Sequence, residues 1–128
     1  MTIGIIREGK NPPDKRVPLT PEQCIQIQDN FECKVIVQPS AIRAYSDKEY
    51  SDFGLTISED MSQCDVLFGV KEVPKADLLP NKKYFFFSHT YKKQSYNRDL
   101  LQEVLDKNIQ LIDYEMLTNT RGTRVVAF

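Results

Sequence analysis

The chain has a single histidine, His89, which lies in Ser88-His89-Thr90-Tyr91-Lys92 directly after three consecutive phenylalanines. Charged side chains stand in the same relation to other apolar runs. Lys10 and Arg16 follow residues 3–7, Lys71 and Glu72 follow 65–70, and Asp113 and Glu115 follow 109–112. In open parallel sheets, ligands bind beyond the carboxyl ends of the strands. If these runs are strands, all of these side chains face one crevice. A cationic crevice that also holds acids and one imidazole suits a small, multiply charged anion and proton transfer near neutral pH. Each residue also has a plainer use. His89 can be a satisfied core histidine, Lys71 and Glu72 a solvated ion pair, and Arg16 a partner of Asp14 or Glu22.

Other chemistries lack their residues. One histidine among scattered acids does not supply the clustered ligands of a zinc site, so no metal is expected. The chain has neither Gly-x-Gly-x-x-Gly nor Gly-Lys followed by Ser or Thr, so it is not expected to bind a dinucleotide alone. Cys24, Cys33 and Cys64 are odd in number and contain no Cys-x-x-Cys pair, which argues for free thiols in a reducing cytoplasm.

The elements that must position the charged residues are legible as punctuation. Residues 3–7 read as a strand that enters a polar loop, and Thr20-Pro21-Glu22-Gln23 has the capping-box spacing with proline at the first helical position. A helix to about Asn30 follows, then a strand at 34–37. Ser46 and Glu49 repeat the capping box before a short helix that Gly54 can end. Residues 65–70 and 84–87 are continuous apolar runs of the kind buried on both sheet faces. Leu100, Leu101, Val104 and Leu105 form a helical stripe within 95–108, and strand resumes at 109–112. This βαβα order predicts a single α/β domain: a doubly wound, mostly parallel, flavodoxin-like three-layer sandwich of about five strands. Residues 124–128 form an apolar strand-like run that stops without a polar tail, so the chain is expected to continue into a further element or domain.

Composition bounds the partners. A length of 128 residues gives one domain rather than a two-domain enzyme, and 41% hydrophobic with 27% charged residues is ordinary globular usage. A net charge of -1 lacks the basic excess of a nucleic-acid binder. No apolar run approaches the ~20 residues of a membrane helix, and residues 1–7 lack a basic segment followed by a long apolar stretch, so no targeting segment is expected.

Several segments together resemble the N-terminal part of the lysine-forming saccharopine dehydrogenases. They are Arg16-Val17-Pro18-Leu19-Thr20-Pro21, Gly69-Val70-Lys71-Glu72-Val73-Pro74, 86–92, Leu111-Ile112-Asp113-Tyr114-Glu115 and 121–128. Residues 37–40 and 44–50 look like the lysine-2-oxoglutarate reductase region of the bifunctional aminoadipic semialdehyde synthases. Alanine dehydrogenase and transhydrogenase N-terminal domains share only the looser Arg-Val-x-Leu-Thr-Pro pattern. The resemblance implies an enzyme that joins the ε-amine of lysine to 2-oxoglutarate as an imine and reduces it to saccharopine. It implies that Lys71 and His89 are the acid–base pair, that Arg16 and Arg124 bind carboxylates, that Glu115 meets the lysine amine, and that Lys92 lies nearby. Glu72 stands where the animal reductases carry a basic residue, which leaves its role open. By the same resemblance the chain, 1–128, is the substrate-side domain. NAD or NADP would be held mainly by a C-terminal cofactor domain absent here, and the isolated chain is expected to be inactive. Two other readings stay open: a related domain for another amino or keto acid, and a non-catalytic binding module of the same architecture.

Overall fold

The computed structural model describes residues 1–126. Its strands are β1 (Thr2–Ile5), β2 (Lys34–Val37), β3 (Thr56–Ile57), β4 (Val66–Phe68), β5 (Lys83–Phe86) and β6 (Gln110–Asp113), and its helices are α1 (Pro21–Asn30), α2 (Asp47–Asp52) and α3 (Arg98–Asp106). All strands are parallel, in the order β3-β2-β1-β4-β5-β6. The chain therefore winds outward from β1 to one edge, returns, and winds outward to the other. The switch point falls between β1 and β4. This is the α/β architecture expected from the sequence, with one strand more than the count. Two-residue β3 is too short to show a period.

Alternation along each strand sorts the apolar residues onto two faces. Ile3, Ile5, Val35 and Val37 pack with Cys24 of α1, Tyr50 of α2 and Leu55. On the other face Ile36, Leu67, Tyr84 and Phe86 pack with Met61, Cys64, Leu78 and Val104 of α3. Cover on both faces explains why β4 and β5 read as continuous apolar runs. Full burial of a side chain such as Phe86 contributes roughly 1.5–3 kcal/mol.

Both capping boxes form. Thr20 accepts from the Gln23 amide while the Gln23 side chain accepts from the Thr20 amide, and Ser46 and Glu49 do the same for α2. Gly54 then takes a φ of 84° just past α2. The connection before α2 is organised by Arg43, whose side chain is almost wholly buried. It donates to the carbonyls of Gln38 and Tyr45, pairs with Asp47, and lies over the Tyr50 ring.

Two expectations need correction. The stripe on α3 is narrower than predicted: Leu100 and Val104, one turn apart, meet the core, while Leu101 and Leu105 are 39% and 66% exposed. Of the run at 124–128, the described residues 124–126 add no strand to the sheet. Arg124 makes one isolated antiparallel bridge to Thr118 across a turn closed by Asn119 and Gly122, and Ala127 and Phe128 lie outside the described residues.

Gly4 sits in central β1, where a Cβ would fall 2.5 Å from both Leu67 Cδ2 and Met61 Cε and 2.9 Å from Cys64 Sγ. The glycine lets the segment before β4 lie directly on the sheet. Gly4→Ala should lower stability by about 1–3 kcal/mol in urea denaturation, as overpacking does.

Candidate active site

Parallel pairing delivers every strand's carboxyl end to one margin of the sheet. The backbone ladder runs on past the strands through Ile6 N–H to Phe68 O (3.0 Å), Gly69 N–H to Phe85 O (2.9 Å) and Phe87 N–H to Val70 O (2.9 Å). Lys71 and His89 therefore stand one and two residues beyond the last link, at the ends of neighbouring strands. Beyond that link the backbone must find other acceptors.

Asp113, at the end of β6, supplies several of them. Its Oδ2 accepts from Ser88 N–H (3.1 Å), the Ser88 hydroxyl (2.7 Å) and His89 N–H (2.9 Å), and its Oδ1 accepts from Glu115 N–H (2.9 Å). The carboxylate is buried and binds the end of β5 to the end of β6. His89 takes a left-handed backbone with φ of 59°, and its carbonyl accepts from the buried Asn97 side chain at 3.2 Å. A bulky residue adopts that conformation only when its surroundings fix it.

The His89 ring turns to Glu115, with Nδ1 3.1 Å from Oε2. Glu115 Oε1 lies 2.8 Å from Arg124 Nη2 and 3.6 Å from Lys92 Nζ. The Glu115 side chain is 9% exposed and that of His89 33%. His89 is thus not a core histidine. A buried carboxylate fixes its ring beside two cations. Four of the residues named from the sequence, His89, Lys92, Glu115 and Arg124, meet here although they span 36 positions of chain.

Arg16 and Lys71 gather with two acids. Arg16 forks onto Asp14, with Nη2 to Oδ2 at 2.6 Å and Nε to Oδ1 at 3.0 Å, which holds the Asp14 carboxyl down to about 2. Of the two plainer partners open to Arg16, Asp14 is the one it takes. Glu8 crosses from the end of β1 and accepts from Val70 N–H (2.7 Å) and Lys71 N–H (2.9 Å) through Oε1. Burial pushes its carboxyl up to about 6 against those two hydrogen bonds, with Asp14 adding to the rise and Arg16 opposing it. The charge of Lys71 in turn stabilises ionised Asp14. Tyr114 closes the floor. Its hydroxyl donates to Gly69 O at 2.9 Å, and burial with nearby Glu8 raises its pKa well above the ordinary range.

Lys10 and Glu72 turn to each other at 2.7 Å, along a groove that also includes Gly9, Pro74 and Asn97. Glu72 is not drawn into either cluster. Sequence reading passed over Glu8, Asn97 and Tyr114 as site residues. Glu8 directly follows an apolar run, and that position was its available signal. The other two owe their places to tertiary packing.

The described residues do not fit a dinucleotide. The strand order is the one that binds such cofactors, but β1 leads into a loop of fifteen residues before α1, so no tight glycine turn brings a helix N-terminus to a pyrophosphate. No grouping of three or more His, Cys, Asp or Glu side chains suited to a metal occurs among the described residues. No helix among them is long and apolar enough to cross a membrane.

Fold and site together define an α/β domain of doubly wound order with a polar, titratable margin. Residues 4–128 match the family model described as "Alanine dehydrogenase/PNT, N-terminal domain", and the chain belongs to that family. It is 47% identical over 126 residues to the mitochondrial alpha-aminoadipic semialdehyde synthase of Bos taurus, covering 98% of this chain and 14% of the relative. To the saccharopine dehydrogenase [NAD(+), L-lysine-forming] of Yarrowia lipolytica it is 32% identical, covering 96% of this chain and 34% of the relative. The chain thus spans a minor part of each. An L-alanine dehydrogenase structure superposes with a TM-score of 0.80 at 20% identity, covering 96% of this chain and 35% of that one. A transhydrogenase from Sinorhizobium meliloti gives 0.79 at 16% identity, covering 94% and 37%.

Asp113→Asn removes an acceptor shared by three donors and should cost about 2–4 kcal/mol in urea denaturation, with the His89 and Glu115 amide resonances moving most. Asp14 gives a pH signature. Its folded-state pKa is depressed, so its contribution is complete above the unfolded value of about 4 and is lost as pH falls towards 2. The acid limb of the stability curve should flatten in Asp14→Asn.

Proposed function

We propose that this chain is the substrate-side domain of an NAD- or NADP-dependent reductase that interconverts lysine plus 2-oxoglutarate and saccharopine. The observation that carries the reading is that one sheet margin gathers, in two clusters, separated residues that the resemblance marks as functional. The whole-chain likeness to saccharopine dehydrogenases supports it. Another amino or keto acid remains the alternative suggested by the fold, but likeness to alanine dehydrogenase and transhydrogenase structures at 16–20% identity speaks for the fold alone.

In this reading Lys71 and His89 exchange the protons. Imine formation needs one group to take protons from the substrate nitrogen and another to protonate the departing oxygen of the carbinolamine. Lys71 and His89 follow the ends of adjacent strands, which supports their acting on the same substrate. Arg16 and Arg124 receive carboxylates, for which a planar guanidinium offers two parallel donors. Each is already directed by an acid, Asp14 or Glu115, so its side chain is ordered before substrate arrives. Glu115 receives the lysine amine, and Lys92 keeps that region cationic towards the keto acid. Glu72 pairs with Lys10 beside the site and takes no direct part. Hydride delivery belongs to a cofactor-bearing domain outside this chain, which is the chief partner. The cysteines form no disulfide, as a reducing compartment requires. The cytoplasm of the sequence reading satisfies that condition, as does the mitochondrion named for the bovine relative.

Ligand titration of the 128-residue chain tests the assignment. Saccharopine and 2-oxoglutarate should shift the His89 ring and Lys71 amide resonances, whereas alanine and pyruvate should not. A response to pyruvate alone would transfer the reading to the alternative substrate class. In a parent enzyme carrying the cofactor domain, His89→Ala and Lys71→Ala should each lower kcat by about 10²–10⁴ with smaller changes in KM. Arg16→Ala should mainly raise KM for the dicarboxylate, by about tenfold or more. Unchanged kinetics in all three would overturn the site.

A further inference from the structure

Glu8 is an acid of this margin to which the proposed reaction gives no duty, and its surroundings are unusual. Both of its hydrogen bonds, from Val70 N–H and Lys71 N–H, end on Oε1. Oε2 makes no hydrogen bond among the described residues and lies against Gly69, 3.7 Å from where a Cβ would be. One oxygen is therefore anchored while the other is open to a proton. A neutral carboxyl keeps the anchor, because its carbonyl oxygen still accepts both N–H groups.

The titratable groups around Glu8 come from three strand ends. Asp14 and Arg16, on the loop after β1, act on its charge directly, Lys71 follows β4 and acts on Asp14, and Tyr114 follows β6. With Glu8 ionised, the quartet Glu8, Asp14, Arg16 and Lys71 has no net charge and draws an anion only through the fixed positions of its donors. With Glu8 neutral, the same quartet is net positive while its hydrogen-bonded frame is unchanged.

Resting on the proposed function for the anionic substrate, we propose that Glu8 couples dicarboxylate capture at Arg16, beside Lys71, to uptake of one proton. Its carboxyl is already pushed up to about 6 by burial, so a neighbouring substrate anion carries it into the neutral range. The sign follows from linkage. An anion raises the Glu8 pKa further, so binding takes up a proton, and by reciprocity a lower pH tightens binding. The effect is confined to the interval between the Glu8 pKa values of the free and bound states. 2-Oxoglutarate stays a dianion throughout, so the ligand contributes no titration of its own.

The test is 2-oxoglutarate binding to the 128-residue chain at pH 5.5 and 7.5, by calorimetry in buffers of different ionisation enthalpy, with the Glu8 side-chain carboxyl followed by carbon NMR. Binding should be about fivefold tighter at pH 5.5, with net proton uptake near pH 7 and a ligand-induced rise in the Glu8 midpoint. Glu8→Gln keeps the amide acceptor and removes the charge. It should bind at pH 7.5 as tightly as the wild type does at pH 5.5 and lose most of the pH dependence. A merely structural Glu8 would instead weaken binding when replaced. A His89→Gln chain, which should retain the coupling, separates out the imidazole. Binding that is equally tight at both pH values, or a Glu8 midpoint unmoved by ligand, would overturn the coupling and leave the substrate reading intact. No binding at either pH would overturn both. If Glu8→Gln fails to fold, the wild-type carbon titration decides alone.

Discussion

The margin of this sheet depends on a few buried or half-buried carboxylate oxygens that replace missing strands. A parallel ladder ends abruptly, and the N–H groups just beyond it have no backbone partner. Left unpaired and buried, each would cost about 1–3 kcal/mol. Asp113 serves the ends of β5 and β6 together, and Glu8 serves the end of β4 from the end of β1. The same bonds that satisfy the backbone fix where Lys71, His89 and Glu115 leave it. Stability and placement of the polar side chains therefore share one cause.

A second layer of acids then orients the cations. Glu115 faces His89, Lys92 and Arg124, and Asp14 holds the Arg16 fork. Such partly exposed pairs contribute little to folding. Their consequence is directional, because long side chains that would otherwise sample many rotamers are kept near one geometry. In the proposed reading, an incoming carboxylate would meet arginines whose ordering has already occurred, at the expense of competing with the acid that holds them.

Strand order and loop length act in opposite senses. The order β3-β2-β1-β4-β5-β6 opens a crevice at the switch between β1 and β4, where dinucleotide domains place their phosphates. Here the connection from β1 to α1 is long and places Lys10, Asp14 and Arg16 over the margin instead of a glycine turn. The fold is shared with alanine dehydrogenase and transhydrogenase structures at low identity, so the chemistry must be read from side chains at the margin rather than from the architecture.

Much of the fold was legible in the sequence because its signals are local. Thr20-Pro21-Glu22-Gln23 and Ser46 with Glu49 announce helix starts through hydrogen bonds that span three residues, and β4 and β5 announce burial on both faces by their unbroken apolar runs. β3 and the outward turn of Leu101 and Leu105 were not legible, since a two-residue strand has no period and a helix's buried width depends on what it packs against. The candidate site divides in the same way. That charged residues follow strands could be read from position, so His89, Lys71, Glu115 and Arg16 could be named. Tertiary structure alone decided that Asp113 bonds Ser88 and His89 across 24–25 residues, that Glu115 and not Glu72 faces the imidazole, and that Glu8 lies half-buried against the Lys71 amide. Hydrogen bonds and desolvation depend on distance in space, and sequence records only distance along the chain.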